Sequence, residues 1–189
     1  MPVQFPPIIL ASKSPRRQEL LSLMGLDFKV ELKDVDESYP EGLSPAEIAI
    51  YISEKKARAF TGDGEIIITA DTIVALNGEI LGKPKDRTHA QEMLKKLSGS
   101  KHEVFTGVTL VKGDKLFSFY DRTEVTCKAV TAAEIDFYID NYKPFDKAGS
   151  YGVQDWWGIV VVERIEGSYT NVMGLPTEKL YSYLTGLII

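Results

Sequence analysis

A short segment near the beginning of the chain places hydroxyl and guanidinium groups at the expected start of a helix. Residues 8–11 form an apolar run typical of a buried strand, and Ser12-Lys-Ser-Pro-Arg-Arg17 follows it directly. Ser14 is a favourable N-cap, and Pro15 suits the first position of a helix. Backbone N–H groups at a helix start attract an anion, and arginine can bind phosphate oxygens through two parallel hydrogen bonds. The segment therefore indicates a phosphate site, with a capped helix and two surface arginines as the alternative.

Carboxylates that suit catalysis or metal binding occur in two places. Residues 66–71 form a continuous apolar run that ends on Asp71, which is typical of a buried strand that delivers a charge to a cleft. The alternative is an aspartate that begins a turn. The acidic loop at residues 34–42 contains Asp34, Asp36 and Glu37, and such hard oxygens bind Mg²⁺ or Mn²⁺. A solvated loop explains these residues equally well, and the local pattern does not select one carboxylate.

Three lysines lie in settings that can present a cation to an anionic ligand. Lys56 lies on a predicted helix, Lys83 in the rigid turn Gly82-Lys-Pro84, and Lys147 in Asp146-Lys-Ala-Gly149. Lysines next to glycine or proline are common in loops, so each of them alone is a weak signal.

Composition and charge exclude several classes of function. The chain has 189 residues, which suffices for one domain with its own core. Its net charge of −5 argues against broad binding to a nucleic-acid backbone, although a small anion can bind where basic residues gather. No apolar run is long enough to span a bilayer, and the first residues lack the pattern of a signal peptide. We therefore expect neither a nucleic acid nor a membrane as a partner.

The few cysteines and histidines point to a reduced protein without zinc. Cys127 is the only cysteine, which excludes an internal disulfide and suits a reducing cytosol. It lies in an alternating run and is interpreted as a strand residue. His89 and His102 have no cysteine partners for zinc. The glycine-rich motifs of P-loop proteins and of dinucleotide-binding folds are also absent.

Periodicity and capping residues predict an α/β protein. Helices are expected at residues 15–24, 45–60, 88–97, 131–141 and 178–184. Strands are expected at residues 8–11, 28–32, 66–71, 72–76, 79–81, 103–111, 115–126 and 159–165. Strands alternate with helices early and form antiparallel pairs later, which favours a mixed sheet flanked by helices, in two lobes around a central cleft.

Seven segments, in order along nearly the whole chain, resemble the Maf family of nucleotide pyrophosphatases. They are Leu10-Ala-Ser-Lys-Ser-Pro-Arg-Arg17, Glu54-Lys-Lys-Ala-Arg58, Ala70-Asp-Thr72, Gly82-Lys-Pro84, Leu97-Ser-Gly-Ser-Lys-His102, Asp146-Lys-Ala-Gly-Ser-Tyr-Gly-Val-Gln154 and Gly167-Ser-Tyr-Thr-Asn-Val-Met-Gly-Leu-Pro176. The resemblance implies one Maf-like domain over residues 1–189, with a fold similar to that of inosine triphosphate pyrophosphatase. It also implies a cytoplasmic protein that forms a homodimer.

The resemblance further implies roles for individual residues. Asp71 would be the catalytic acid or base, and Glu37 the metal-binding glutamate, so that both would hold Mg²⁺ or Mn²⁺ near the α-phosphate of a nucleoside triphosphate. The residues implied in substrate binding fall into three sets: Arg16, Thr72 and Gln154 for base selection in the branch that acts on dTTP and UTP, Lys56, Lys83 and Lys147 for the triphosphate, and Ser12 and Arg17 to complete the pocket.

The sequence after Gln154 departs from the family pattern, which usually continues with glycine. Asp155-Trp156-Trp157 stands there instead, and the two indoles could stack on a base or pack in a core or at a dimer contact. The implied activity is hydrolysis of dTTP or UTP, and of modified pyrimidine nucleotides, to the monophosphate and pyrophosphate. The alternatives are a nucleotide-binding regulator of septum formation and the same chemistry on modified guanine nucleotides.

Overall fold

The computed structural model describes residues 4–61 and 64–187, in which strands and helices alternate through most of the chain. The strands are β1 (Ile8–Leu10), β2 (Phe28–Val30), β3 (Ile66–Leu76), β4 (Glu79–Leu81), β5 (Lys101–Lys112), β6 (Lys115–Cys127) and β7 (Val162–Glu166). The helices are α1 (Pro15–Leu23), α2 (Pro45–Ala57), α3 (Arg87–Leu97), α4 (Ala132–Tyr142), α5 (Trp156–Val160), α6 (Tyr169–Met173) and α7 (Thr177–Gly186). Short 3-10 turns at Pro144–Asp146 and Ala148–Ser150 follow α4.

All seven strands belong to one mixed sheet, with the order β2-β1-β3-β5-β6-β7 and with β4 paired to β3. β1 runs parallel to β2 and β3, whereas the other pairs are antiparallel. The expected mixed sheet flanked by helices is therefore confirmed.

The β3 strand presents a different core on each face. Side chains alternate along a strand, so Ile67, Ile73 and Ala75 face α2, while Ile66 and Ile68 face the larger core on the opposite side. Helix α2 approaches the sheet closely at Gly107 of β5. A Cβ atom there would lie 2.3 Å from the backbone of Ala49, so only glycine allows this approach.

One edge of β3 is only partly paired, and this gap forms the base of the functional cleft. β1 pairs with Ile66–Ile68, and β4 pairs with Val74–Leu76 on the same edge. The intervening residues 69–73 pair with β5 on the other edge but have no strand neighbour on this one. The backbone edge of this section is therefore open to side chains of other segments, and Asp71 and Thr72 line the cleft beside it.

Two sequence-based assignments are wrong. Residues 66–71 and 72–76 form one continuous strand, so Asp71 lies in the middle of β3 and not at a strand end. The expected buried strand at residues 159–165 is instead helix α5 followed by the edge strand β7. The β-branched run favours a strand, but the Asp155 side chain accepts a hydrogen bond from the Trp157 N–H and begins a helix there.

Several helix starts form as expected from their capping residues. Ser14 caps α1, and Ser44 with Glu47 and Thr131 with Glu134 form complete capping boxes. Within the described residues, no helix combines the length and apolar character needed to cross a membrane.

Candidate functional site

A cleft of about 540 Å³ lies along the partly paired edge of β3. Its walls come from the β1–α1 connection, the acidic loop and the segment around residues 146–154, and β3 lies between them. It is lined by every residue expected to bind substrate or metal or to catalyse: Ser12, Arg16, Arg17, Glu37, Lys56, Asp71, Thr72, Lys83, Lys147 and Gln154. The fold therefore brings together side chains that are widely separated in sequence.

Arg17 occupies the gap in the β3 edge. Its Nη1 donates to the backbone oxygen of Ala70 at 2.8 Å, and its Nη2 donates to Thr72 Oγ1 at 3.0 Å. Its Nε donates to the backbone oxygen of Gly174 at 2.7 Å, which connects α6 to the sheet. Burial lowers the pKa of Arg17, but a guanidinium remains charged at physiological pH. Arg17 is thus a fixed positive charge at the base of the cleft.

The Ser12–Arg17 turn is organised by its own hydroxyl groups. Ser12 Oγ accepts from the Ser14 N–H at 3.2 Å and from Arg17 Nη1 at 3.3 Å. Ser14 Oγ accepts from the Arg17 N–H at 3.4 Å, as an N-cap does. The turn therefore presents the start of α1 and the Arg17 guanidinium to the same cleft.

Lys56 connects the two carboxylates that were expected to share a metal ion. Its ammonium nitrogen lies 2.8 Å from Asp71 Oδ1 and 3.0 Å from Glu37 Oε1. Both carboxylates therefore lie within 3.0 Å of one cationic atom, and Asp71 and Lys56 are largely buried. Partial burial acts to raise the pKa of Glu37, but Lys56, followed by Lys83 and Arg17, holds it below its usual value.

The donor set in this corner fits a magnesium-type ion. Mg²⁺ in nucleotide-binding sites is commonly held by one or two carboxylates, several waters and substrate phosphates. Glu37 and Asp71 supply two such carboxylates that already share one cation. Among residues 4–61 and 64–187, no group of three or more His, Cys, Asp or Glu side chains is placed to hold a metal. The corner thus suits an ion that arrives with its phosphate ligands.

Asp146 forms ion pairs with two of the cationic side chains that were expected to bind phosphate or base. Its Oδ2 lies 3.1 Å from Arg16 Nη1, and its Oδ1 lies 2.7 Å from Lys147 Nζ. Partial burial acts to raise the pKa of Asp146, but Lys147 and Arg16 hold it below its usual value. Asp146 was not among the site residues expected from the sequence. Its position directly before Lys147 could have indicated that it lies in the site.

Gln154 lines the cleft with a half-buried side chain. Its Oε1 is buried and accepts no hydrogen bond in the part of the chain that the structure describes. Buried amide oxygens normally have a donor, so this amide is suited to pair with a ligand once the side chain turns its oxygen towards the cleft.

Of the two tryptophans after Gln154, Trp157 lies in the core and the half-buried Trp156 packs against it, and neither lines the cleft. Trp157 is fully buried against Tyr138 and Tyr151, and Trp156 lies against Phe137 and Tyr138. Of the roles considered for these indoles, the structure therefore supports packing and not stacking on a base.

Hydrogen bonds that were not expected from the sequence link Thr72 to Thr106 and Asn171. Thr72 Oγ1 lies 3.0 Å from Thr106 Oγ1, which donates to the backbone oxygen of Asn171 at 3.1 Å. Asn171 is fully buried, and its amide donates to Val104 O and Thr123 Oγ1. These hydrogen bonds fix Thr72 relative to α6. Their residues lie in three separate segments, so the sequence pattern does not indicate that they meet.

The fold and the cleft together define a mixed α/β protein with a cation-lined site suited to a polyphosphate. A Ham1 protein of Staphylococcus aureus superposes with a TM-score of 0.53 at 18% identity and covers 96% of this chain and 99% of its own. A HAM1 protein of Coxiella burnetii gives a TM-score of 0.51 at 18% identity, over 95% and 98% of the two chains. This likeness agrees with the fold expected from the family resemblance.

The chain belongs to the Maf family, whose description "Maf-like protein" matches residues 7–187. A Bacteroides thetaiotaomicron protein named dTTP/UTP pyrophosphatase is 52% identical over 184 residues, which cover 95% of each chain. A Flavobacterium johnsoniae protein of the same name is 49% identical over 184 residues, covering 96% of this chain and 95% of that protein.

Proposed function

We propose that this chain hydrolyses dTTP and UTP to the nucleoside monophosphate and pyrophosphate. The observation that carries the proposal is one cleft, lined by the five lysines and arginines expected to bind substrate, by two carboxylates that Lys56 bridges and by Gln154. The printed names of relatives that are about half identical to the chain support the same reaction.

The cations of the cleft would bind the triphosphate. Arg17 is a fixed charge beside the β1–α1 turn, while Arg16 and Lys147 exchange their contacts with Asp146 for phosphate oxygens. Lys83 lies near enough to Glu37 to lower its pKa. Positive charge placed before the reaction stabilises the negative charge that develops on the leaving pyrophosphate.

Asp71 would accept the proton of the attacking water. The water oxygen bonds to the α-phosphorus, the bond from that phosphorus to the bridging oxygen breaks, and pyrophosphate leaves. Lys56 donates to Asp71 Oδ1 at 2.8 Å and orients the carboxylate, so that its other oxygen would accept from the water. A positioned carboxylate in this role contributes roughly 10²- to 10⁴-fold to the rate.

Glu37 and Asp71 would hold a divalent ion, Mg²⁺ or Mn²⁺. When bound, the ion supplies positive charge beside the phosphate oxygens. Lys56 touches both carboxylates and keeps them close together when they would otherwise repel each other.

Gln154 would recognise the edge of uracil or thymine. An amide can donate to and accept from the neighbouring carbonyl and N–H groups of a pyrimidine. Its oxygen, which has no donor among the described residues, would turn towards the cleft and accept from the ring N–H of uracil or thymine.

A panel of triphosphates assayed for pyrophosphate release with Mg²⁺ or Mn²⁺ tests this function. We expect dTTP and UTP to give the highest kcat/KM and the monophosphate as the second product. Binding without pyrophosphate release would favour the nucleotide-binding regulator of septum formation. A preference for a modified guanine triphosphate would place the same chemistry on another base.

The homodimer and the cytoplasmic location are proposals that rest on the family resemblance alone. Light scattering of the purified chain tests the first, since a molar mass of one chain would refute it. Fractionation of cells that express the chain tests the second, and recovery outside the soluble cytoplasmic fraction would refute it.

A further inference from the structure

The segment that carries Gln154 is held from behind by a buried tyrosine of α4. Tyr138 is fully buried, and its hydroxyl lies 3.0 Å from each carboxylate oxygen of Asp155. The same hydroxyl accepts the N–H of Gly152 at 3.0 Å. One oxygen atom of Tyr138 is therefore hydrogen-bonded to both Gly152 and Asp155, which flank Gln154.

Asp155 also stabilises the backbone that follows Gln154. Its Oδ1 accepts the Trp157 N–H at 3.2 Å and so begins α5. A Cβ atom on Gly152 would lie 2.5 Å from Asp155 Oδ2, so a larger residue at position 152 would force the carboxylate away. Residues 152–155 thus form a tight loop that depends on one hydroxyl, one carboxylate and one glycine.

The side chain inside the loop has little else to orient its acceptor. Gln154 Oε1 has no donor within residues 4–61 and 64–187, although it is buried in the cleft wall. Val153, directly before it, is buried in the core. Gln154 lines the cleft, and the backbone held on both sides of it sets where its side chain enters the cleft.

We propose that Tyr138 and Asp155 are positioning residues that determine base selectivity, because their hydrogen bond holds the loop that aims Gln154 into the cleft. This inference rests on the proposed function. It assigns selectivity to two residues that need not touch the substrate.

The test compares Tyr138→Phe, Asp155→Ala and Asp155→Asn by their ratio of kcat/KM for UTP to that for GTP. Tyr138→Phe and Asp155→Ala are expected to lower this ratio at least about fivefold, since each opens the loop. Asp155→Asn retains an oxygen that accepts from Tyr138 and from the Trp157 N–H, so it should keep most of the selectivity. Inhibition by inorganic tripolyphosphate, which reports on the phosphate half alone, should change by less than about twofold in all three variants.

Leu180→Val is the control for general loss of stability. Leu180 is fully buried in α7 and does not line the cleft. An unchanged UTP-to-GTP ratio in Tyr138→Phe would overturn the inference, as would an equal loss of selectivity in Leu180→Val. If the unmodified protein releases no pyrophosphate from UTP, the proposed function itself fails, which is a distinct result.

Discussion

The ammonium group of Lys56 lies 2.8 Å from Asp71 and 3.0 Å from Glu37, so one lysine holds together two carboxylates that line the cleft. Lys56 and Asp71 come from different elements, α2 and β3. They meet because Gly107 lets α2 approach the sheet, and because Asp71 points from β3 towards that helix. The chemistry of the cleft therefore depends on how closely one helix packs.

Replacing Lys56 with methionine should destabilise the protein in a way that Mg²⁺ partly reverses. The variant leaves two neighbouring carboxylates without their cation, and we expect a loss of about 1–3 kcal/mol in the free energy of unfolding. A divalent ion that binds only the folded state then restores stability. Thermal melts with chelator and with Mg²⁺ should show a larger Mg²⁺-dependent rise in Tm for Lys56→Met than for the unmodified chain.

Lys55→Met provides a matched control, because Lys55 pairs with the exposed Asp36 and does not line the cleft. Exposed pairs contribute about 0–1 kcal/mol. Equal losses of stability in the two variants, or an equal response to Mg²⁺, would show that Lys56 does not hold a metal-binding pair.

Gly107→Ala should separate α2 from β5. The added Cβ atom would lie 2.3 Å from the Ala49 backbone, which cannot move without the helix. We expect a loss of stability of about 1–3 kcal/mol or more, with a fall in turnover because Lys56 shifts away from Asp71. Urea unfolding and pyrophosphate release measure the two effects. Gly186→Ala, in helix α7 with open space around it, should neither lower stability nor change turnover.

Gln154→Ala should remove base preference while leaving phosphate binding intact. Loss of a buried hydrogen-bonding partner costs about 1–3 kcal/mol, so the UTP-to-GTP ratio of kcat/KM should fall about 5- to 150-fold. Competitive inhibition by inorganic tripolyphosphate serves as the internal control. A ratio that stays at its original value would remove Gln154 from base recognition.

His102 should make the protein less stable as the pH falls below neutral. It is buried, its Nε2 lies 2.7 Å from the Tyr151 hydroxyl, and burial lowers its pKa from 6.5 to about 4. The unfolded chain then binds a proton at a higher pH than the folded chain does. The stabilisation is present above the unfolded pKa and is lost as the pH falls towards the folded pKa, by about 2 kcal/mol between about pH 7 and about pH 5.

Urea unfolding of His102→Gln at the same pH values checks this dependence. The variant should lose less stability on acidification than the unmodified chain does. His89→Gln should retain the full loss, since His89 lies on helix α3 and is only partly buried. A pH dependence unchanged by His102→Gln would assign the effect to other groups.

Helix-capping residues act over only a few neighbouring residues, so the sequence predicted several helix starts correctly. Ser14, Ser44 and Thr131 cap helices, as their hydroxyl groups next to good helix starts indicated. The signal failed at residues 159–160, where a β-branched run favours a strand but the Asp155 cap and the packing of Trp157 extend helix α5. Tertiary contacts there outweigh the intrinsic preference of the chain.

The residues of the cleft were selected from family motifs, but their partners could not be predicted. Arg17 binds the backbone oxygen of Ala70 only because β1 and β4 leave a gap on the β3 edge. The pairing of Arg16 with Asp146 joins residues 130 positions apart, and nothing local indicates it. Such contacts depend on the strand order of the sheet, which local sequence patterns do not determine.

Hydrolysis of UTP in water labelled with a heavy oxygen isotope, by the unmodified protein and by Asp71→Asn, tests the central claim most directly. Mass spectrometry should find the label in the nucleoside monophosphate, since water attacks the α-phosphorus. Asp71→Asn should fold, bind nucleotide and turn over at least about 100-fold more slowly, because it cannot accept the proton. Label in pyrophosphate or inorganic phosphate, or normal turnover by Asp71→Asn, would contradict the account.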